Sequence, residues 1–209
     1  MPVNPPPLHF HRTGILFVIS APSGAGKTTL CTALRQKPDF VYSVSCTTRA
    51  PRPGEIEGED YHFISHEEFA ARIKTDAFLE HAEVHGNFYG TLKEPVLEQL
   101  KKGIDVLIDI DTHGAAAIRA SKDRVIQDAL ADVFIMPPDL EELRRRLERR
   151  GTENAEQVDI RLANAALEMK CWSDYRYTII SGSMEENIEK FRAVMRAERY
   201  LSRRFSLVP

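Results

Sequence analysis

Two hydrophobic patterns take turns along this chain: short continuous apolar runs, and longer stretches in which apolar residues recur at helical spacing. The first run, Ile15-Leu16-Phe17-Val18-Ile19, has the form of a strand buried on both faces. Residues 28–36 read as the helix that follows, ended by Lys37-Pro38-Asp39. Residues 40–47 alternate apolar and small polar side chains, as a half-buried strand does. Residues 104–110 and 133–136 repeat the buried-strand pattern, the second entering Pro137-Pro138, and residues 177–180 form a last short strand. Helical patterns occupy 93–102 (stopped by Gly103), 140–149, 154–170 and 184–204. Core strands alternating with helices predict an α/β fold, a parallel sheet covered on both faces.

One region breaks the alternation. Residues 49–60 (RAPRPGEIEGED) are loop-like, and residues 61–64 form a short strand. Ser65 begins a helix as its N-cap, with Glu68 placed to complete a capping box. Residues 77–89 suit a strand or a hairpin. The stretch from 49 to about 91 is therefore expected to be an inserted lobe.

Composition narrows the class. The 209 residues suffice for one sizeable α/β domain, and 43% hydrophobic with 28% charged residues is the balance of an ordinary soluble globular protein. A formal net charge of −3 gives no reason to expect nucleic acid or an anionic membrane as partner, and no apolar run approaches a bilayer span. Residues 1–13, with four prolines and two histidines, are expected to form a flexible leader. Cys31, Cys46 and Cys171 form no CxxC pair and read as reduced thiols of a cytoplasmic protein.

Between the first strand and its helix lies Ala21-Pro22-Ser23-Gly24-Ala25-Gly26-Lys27-Thr28. Glycines let backbone amides turn inward into a nest of N–H donors, and the helix N-terminus adds positive charge. Lys27 is placed to reach the β- and γ-phosphates of a nucleotide, and the Thr28 hydroxyl to ligate Mg²⁺. The stretch departs from G-x-x-x-x-G-K-[ST] only in having Ala21 at the first position. The buried strand at 104–110 then ends in Asp109-Ile110-Asp111, carboxylates of the kind that hold Mg²⁺ directly or through water. Asp111 is equally placed to cap a helix starting near Thr112.

Phosphoryl transfer needs cations around the migrating group. Arg49 and Arg52 share one loop; Arg146 and Arg150 lie four apart on a helix, and Arg161 follows beyond Gly151-Thr152-Glu153. A helix–Gly–helix pair carrying arginines suits a lid, while Arg144, Arg145 and Arg149 read as a solvated helix face. The lobe adds Ser45, Glu55, Tyr61, Glu80, Tyr89 and Thr91. A carboxylate beside a hydroxyl separates guanine from adenine, because guanine offers N1–H and N2–H₂ donors and an O6 acceptor.

From Ser45-Cys46-Thr47-Thr48-Arg49-Ala50-Pro51-Arg52-Pro53-Gly54-Glu55, followed by Gly58-Glu59-Asp60-Tyr61, the chain closely resembles the guanylate kinase family. The likeness continues through Phe78-Leu79-Glu80-His81-Ala82-Glu83, Gly86-Asn87-Phe88-Tyr89-Gly90-Thr91 and Asp109-Ile110-Asp111. It resumes at Pro137-Pro138, Arg146-Leu147-Glu148-Arg149-Arg150-Gly151 and Arg161-Leu162, so that it spans about Gly14 to Arg199. It implies a P-loop NTPase fold of the nucleoside monophosphate kinase type over residues 14–199. Within it, a GMP-binding lobe covers about 45–91 and a helical lid about 146–165, with 200–209 as a tail.

The reaction implied is ATP + GMP ⇌ ADP + GDP with Mg²⁺, extending to dGMP. The resemblance assigns residues 21–29 (Ala21, Pro22, Ser23, Gly24, Ala25, Gly26, Lys27, Thr28 and Thr29) and Arg150 to ATP. It assigns Arg49, Arg52, Tyr61 and Tyr89 to the GMP phosphate, and Glu80, Ser45 and Thr91 to guanine. Asp111 would lie near the base, and Glu55 would orient the arginine loop. Lys27, Arg52, Arg146 and Arg161 would act on the transferring group, with Thr28 and Asp109 toward the metal. The chain differs from the family pattern at Thr112-His113-Gly114 (usually Trp-Gln-Gly) and at Ile180-Ser181-Gly182-Ser183 (usually Val-Asn-Asp-Asp). A non-catalytic guanylate kinase-like binding module and a P-loop kinase of a sugar phosphate are the competing readings. The first is disfavoured by Lys27, Thr28, Arg146 and Arg161, the second by Glu80 and Ser45. Oligomeric state is not legible.

Overall fold

A computed structural model describes residues 9–84, 86–149 and 155–208. The chain opens with β1 (His9–Arg12), β2 (Leu16–Ser20), α1 (Lys27–Arg35) and β3 (Val41–Tyr42). A lobe follows: β4 (Cys46–Thr47), β5 (His62–Phe63), α2 (His66–Lys74), β6 (Phe78–Val84) and β7 (Asn87–Leu92). The chain then returns through α3 (Lys93–Lys101), β8 (Val106–Asp109), α4 (Thr112–Arg119), α5 (Arg124–Ala129) and β9 (Leu130–Met136). Last come α6 (Leu140–Arg149), α7 (Ala155–Met169), β10 (Tyr177–Ile180), α8 (Met184–Arg199) and β11 (Phe205–Val208).

Five parallel strands form the main sheet in the order β10-β9-β2-β8-β3. β2 is central, with Leu16 opposite both Val106 and Leu130, and all five of its residues are buried. The period-two alternation of a strand sends its side chains to opposite faces. Phe17 and Ile19 pack with Leu30 and Leu34 of α1 and Phe191 and Met195 of α8. Leu16 and Val18 pack with Val96 and Leu100 of α3, Ile118 of α4 and Ile126 of α5. The unbroken apolar run is thus the signature of a strand covered on both sides. Connections leave β2 toward β3 on one side and reach β9 on the other, so a crevice opens at its carboxyl end, where α/β sheets bind ligands.

The lobe is a second sheet, β5-β4-β7-β6, with its own small core of Cys46, Phe69 and Phe78. The Phe69 ring stacks between Phe78 at 4.3 Å and Phe88 at 5.3 Å. The stretch expected to be one strand over 40–47 is divided: Val41 pairs with Val106 in the main sheet, whereas Cys46 pairs with Gly90 and His62 in the lobe. Val41 and Tyr42 are exposed and half-buried, whereas Cys46 and Thr47 are both buried, and residues 43–45 carry the chain across. The 77–89 segment resolves as the β6–β7 hairpin, and α2 starts at the Ser65 cap, whose Oγ accepts from the Glu68 amide. α6 and α7 share a third cluster, Leu143, Leu147, Val158, Leu162 and Ala165.

Both chain ends differ from expectation. Residues 9–12 of the supposed flexible leader form β1, antiparallel to β11, and Arg12 is tied to Asp105 at 2.6 Å and to the Gly103 carbonyl at 3.0 Å. The pairing partner lies almost two hundred residues away, so no local pattern announces it. The closing helix stops at Arg199 rather than 204, because Arg204 turns back to bury its guanidinium against Glu198 and the Asp128 carbonyl. The N-terminal 1–8 part of the leader lies outside the described residues.

Candidate active site

The carboxyl end of β2 feeds the glycine loop. Gly24 and Gly26 have φ of +90° and +94°, backbone that an L side chain adopts only with strain. At Gly24 space is also short: a Cβ there would lie 2.8 Å from Leu147 Cδ2, so α6 packs directly on the loop. Gly26 has open space where a Cβ would stand and begins α1 as its N-cap, with no side chain capping the first-turn amides. Lys27 Nζ donates to the Ile110 carbonyl at 2.8 Å. Thr28 and Thr29 are exposed. The Ser23 amide donates to Glu168 Oε2 of α7 at 3.0 Å, and Ala25 N donates to the Pro22 carbonyl.

Beside this loop lies a cavity of about 460 Å³, walled on one side by α1 and the end of β8 and on the other by the lobe. Lys27, Thr28, Asp109 and Asp111 line the first wall, and Ser45, Arg49, Arg52, Glu55, Tyr61, Glu80 and Tyr89 the second. Residues far apart in sequence thus share one space.

The lobe wall is a connected polar network. Arg49 makes a bidentate pair with Glu55 (3.0 and 2.9 Å), its Nε donates to the Tyr89 hydroxyl at 3.2 Å, and its guanidinium sits 5.5 Å from the Tyr61 ring centre. Glu55 also accepts the Arg52 amide at 2.7 Å. The Arg49 guanidinium, and then the Arg52 amide, hold the Glu55 carboxyl below its usual range. The Arg52 side chain is exposed at the cavity, its charge acting on Glu55. Burial, and then the nearby Asp109 charge, push the Tyr61 hydroxyl up.

Deeper in, Glu80 is 7% exposed. Its Oε1 accepts from both the Thr91 hydroxyl (2.7 Å) and the Thr91 amide (3.1 Å), while Thr91 Oγ1 lies 3.2 Å from Ser45 Oγ. Thr91 is fully buried and acts through Glu80 rather than facing the cavity. Burial raises the Glu80 carboxyl, the Thr91 bonds oppose that rise, and the Asp111 charge adds to it. Gly114 permits this packing: a Cβ there would stand 2.7 Å from Glu80 Oε2. Of the unusual triplet, Thr112 is buried, His113 is exposed, and Gly114 is the member that the site requires.

The two strand-end acids divide their work. Asp109 ends β8 and accepts the Tyr42 hydroxyl at 2.8 Å. Asp111 lies beyond the strand and caps α4, accepting the Gly114 amide at 2.7 Å, and still lines the cavity. The cap expected of Asp111 is thus observed, and its carboxylate also borders the cavity.

Of the arginines expected in a lid, Arg146 and Arg161 do not line this cavity. Arg146 Nη1 donates to the Ala25 carbonyl (3.2 Å) and to Ser181 Oγ (3.1 Å), and its Nε to Glu142 (2.8 Å). The Ser181 departure therefore sits beside the glycine loop, where it anchors Arg146. Arg161 is half-buried on α7 next to Leu162. Arg150 and residues 151–154 lie outside the described residues. Arg144 is more than a solvated face, since it joins α6 to Asp159 of α7 at 2.8 Å. Sequence reasoning missed Arg35, Thr32, Tyr42 and Asp60, all at the cavity. For the α1 residues a signal existed, since 28, 32 and 35 recur at helical spacing after Lys27.

Among the described residues no helix is long and apolar enough to cross a membrane. A family model described as guanylate kinase matches residues 13–198. The guanylate kinase of Maricaulis maris is 47% identical over 189 residues, covering 90% of this chain and 85% of the relative. That of Dechloromonas aromatica is 49% identical over 185 residues, covering 88% and 89%. The crystal structure of guanylate kinase from Anaplasma phagocytophilum superposes with a TM-score of 0.77 at 34% identity, covering 94% of this chain and 92% of that one.

Proposed function

Since the chain belongs to the guanylate kinase family and is an ATP:GMP phosphotransferase, we propose that the cavity is its acceptor site and the glycine loop its donor site. One observation carries this reading: Lys27 and Thr28 share a single cavity with Glu80 and the Arg49–Glu55 loop. Glu80 is the guanine reader. Thr91 occupies Oε1 and leaves Oε2 for the N1–H and N2–H₂ donors that adenine lacks at these positions. Ser45 supplies a hydroxyl beside it. Arg52, with Arg49, Tyr61 and Tyr89, holds the GMP phosphate, a bidentate task that a guanidinium performs better than an ammonium.

Transfer is in line: a GMP phosphate oxygen attacks the γ-phosphorus and ADP leaves. The nucleophile is already ionised near neutral pH, so no side-chain base is required. Lys27 exchanges the Ile110 carbonyl for the migrating phosphoryl oxygens, whose charge spreads in the transition state. Arg146 and Arg161 approach as the α6–α7 lid closes over the donor, excluding water.

Mg²⁺ fits the donor set. Thr28 and Asp109 offer one hydroxyl and one carboxylate on the same cavity, the sparse protein ligation typical of an ion bound mainly through phosphates and water. Among the described residues no group of three or more His, Cys, Asp or Glu is placed to hold a metal ion. When bound it neutralises phosphate charge. A cytoplasmic setting fits the three cysteines, all free.

The test is an ADP-release assay at saturating Mg-ATP. GMP-dependent turnover is expected, with AMP poorer by about a hundredfold or more, as hydrogen-bond discrimination allows. Absence of GMP-dependent ADP would refute the reading.

A further inference from the structure

Arg35 lies two turns beyond Lys27 on the cavity face of α1 and has no part in the reaction as derived above. Its guanidinium carbon lies 4.5 Å from the centre of the Tyr42 ring, and its Nη2 donates to the Glu59 carbonyl at 3.2 Å. Tyr42 is a fixed platform: its backbone belongs to β3, and its hydroxyl is held by Asp109 at 2.8 Å. Glu59 stands in the loop that carries Arg49, Arg52, Glu55 and Tyr61. That loop turns through Gly54 and Gly58 at positive φ and is stabilised largely by its own short-range bonds, such as Glu55 N to the Arg52 carbonyl and Ile56 N to Asp60. Among the described residues, Arg35–Glu59 is the single side-chain hydrogen bond that ties it to the donor helix.

We propose that Arg35 is a positioning residue for the acceptor. It docks the 49–61 loop on α1, with the Tyr42 ring as its seat, and thereby holds Arg49 and Arg52 at the distance from the glycine loop that transfer requires. The proposal rests on the assignment of that loop to the GMP phosphate. Its energetics are modest, because an exposed cation–π contact and one exposed hydrogen bond to a neutral carbonyl are each weak. Losing them frees the loop to sample undocked positions, so the population competent to bind GMP falls and the apparent affinity falls with it. Chemistry on bound substrate proceeds as before.

The experiment compares Arg35→Ala, Arg35→Lys, Tyr42→Leu, the Arg35→Ala/Tyr42→Leu double variant and Arg52→Ala for GMP KM, ATP KM, kcat and thermal midpoint. Arg35→Ala is expected to raise GMP KM about fivefold, with ATP KM, kcat and midpoint essentially unmoved. Arg35→Lys, which keeps a cation over the ring and a donor for Glu59, restores most of the loss. In the double variant GMP KM rises by less than the product of the two single effects, since both changes loosen the same docking. The proposal is overturned if Arg35→Ala leaves GMP KM unchanged while Arg52→Ala raises it, or if ATP KM or kcat shifts in parallel. If Arg52→Ala leaves GMP KM untouched, the acceptor assignment itself falls.

Discussion

The two walls of the cavity are built from different materials. On the proposed donor side the glycine loop presents backbone, shaped by Gly24 and Gly26 and ending in Lys27, which rests on a main-chain carbonyl. The proposed acceptor side is made of side chains already engaged with one another: Glu55 with Arg49, Arg49 with Tyr89, and Thr91 with Glu80. Backbone amides and a lysine recognise phosphate in any nucleotide. Telling guanine from adenine needs a directed carboxylate, and a buried carboxylate keeps its direction only when neighbours hold it. The lobe, with its separate stacked-phenylalanine core, is the frame that does so.

The contrast makes graded predictions. Lys27→Ala strikes the generic wall and should lower kcat by about 10³-fold, the scale for losing one transition-state stabiliser, while GMP binding measured by calorimetry stays close to the parent value. A parallel loss of GMP affinity would mean that the walls are not separate. Glu80→Gln strikes the selective wall and should reduce kcat/KM for GMP by about 10²-fold, with ATP KM little changed.

The same residue provides a pH test. Burial raises the Glu80 carboxyl, and only its ionised form accepts both guanine donors, so GMP KM should climb as pH falls through that raised value. Glu80→Gln should flatten this acid limb, and persistence of the limb would assign it elsewhere. Glu55→Gln has the smallest expected effect. It replaces a bidentate ion pair by neutral hydrogen bonds and should raise GMP KM about tenfold or less, again sparing ATP.

Much of this could be read along the chain. The apolar run at residues 15–19 marked a strand covered on both faces because it is too short for a buried helix and passes directly into a glycine loop. The glycine loop was legible because positive φ and a close helix approach demand particular residues at particular places. The division of residues 40–47 between two sheets was not legible, since both halves obey the same alternation. Nor was β1: its four residues carry no core pattern, and its partner lies at the opposite end of the chain. Arg35 and Tyr42 escaped notice because an arginine on a helix face and a tyrosine in an edge strand are ordinary until they meet.

By itself the sequence determined the chemical alphabet of the site: a phosphate-binding loop, a carboxylate with hydroxyl partners, and an arginine loop. Those depend on residue type and local spacing, which a linear chain states openly. Only the tertiary structure decided how the letters combine. It gave Glu80 one free oxygen by committing the other to Thr91, made Asp111 a helix cap as well as a wall residue, and set Arg146 against Ala25 and Ser181 outside the cavity. Such outcomes turn on contacts between distant elements, where burial and geometry rather than spacing select the partner.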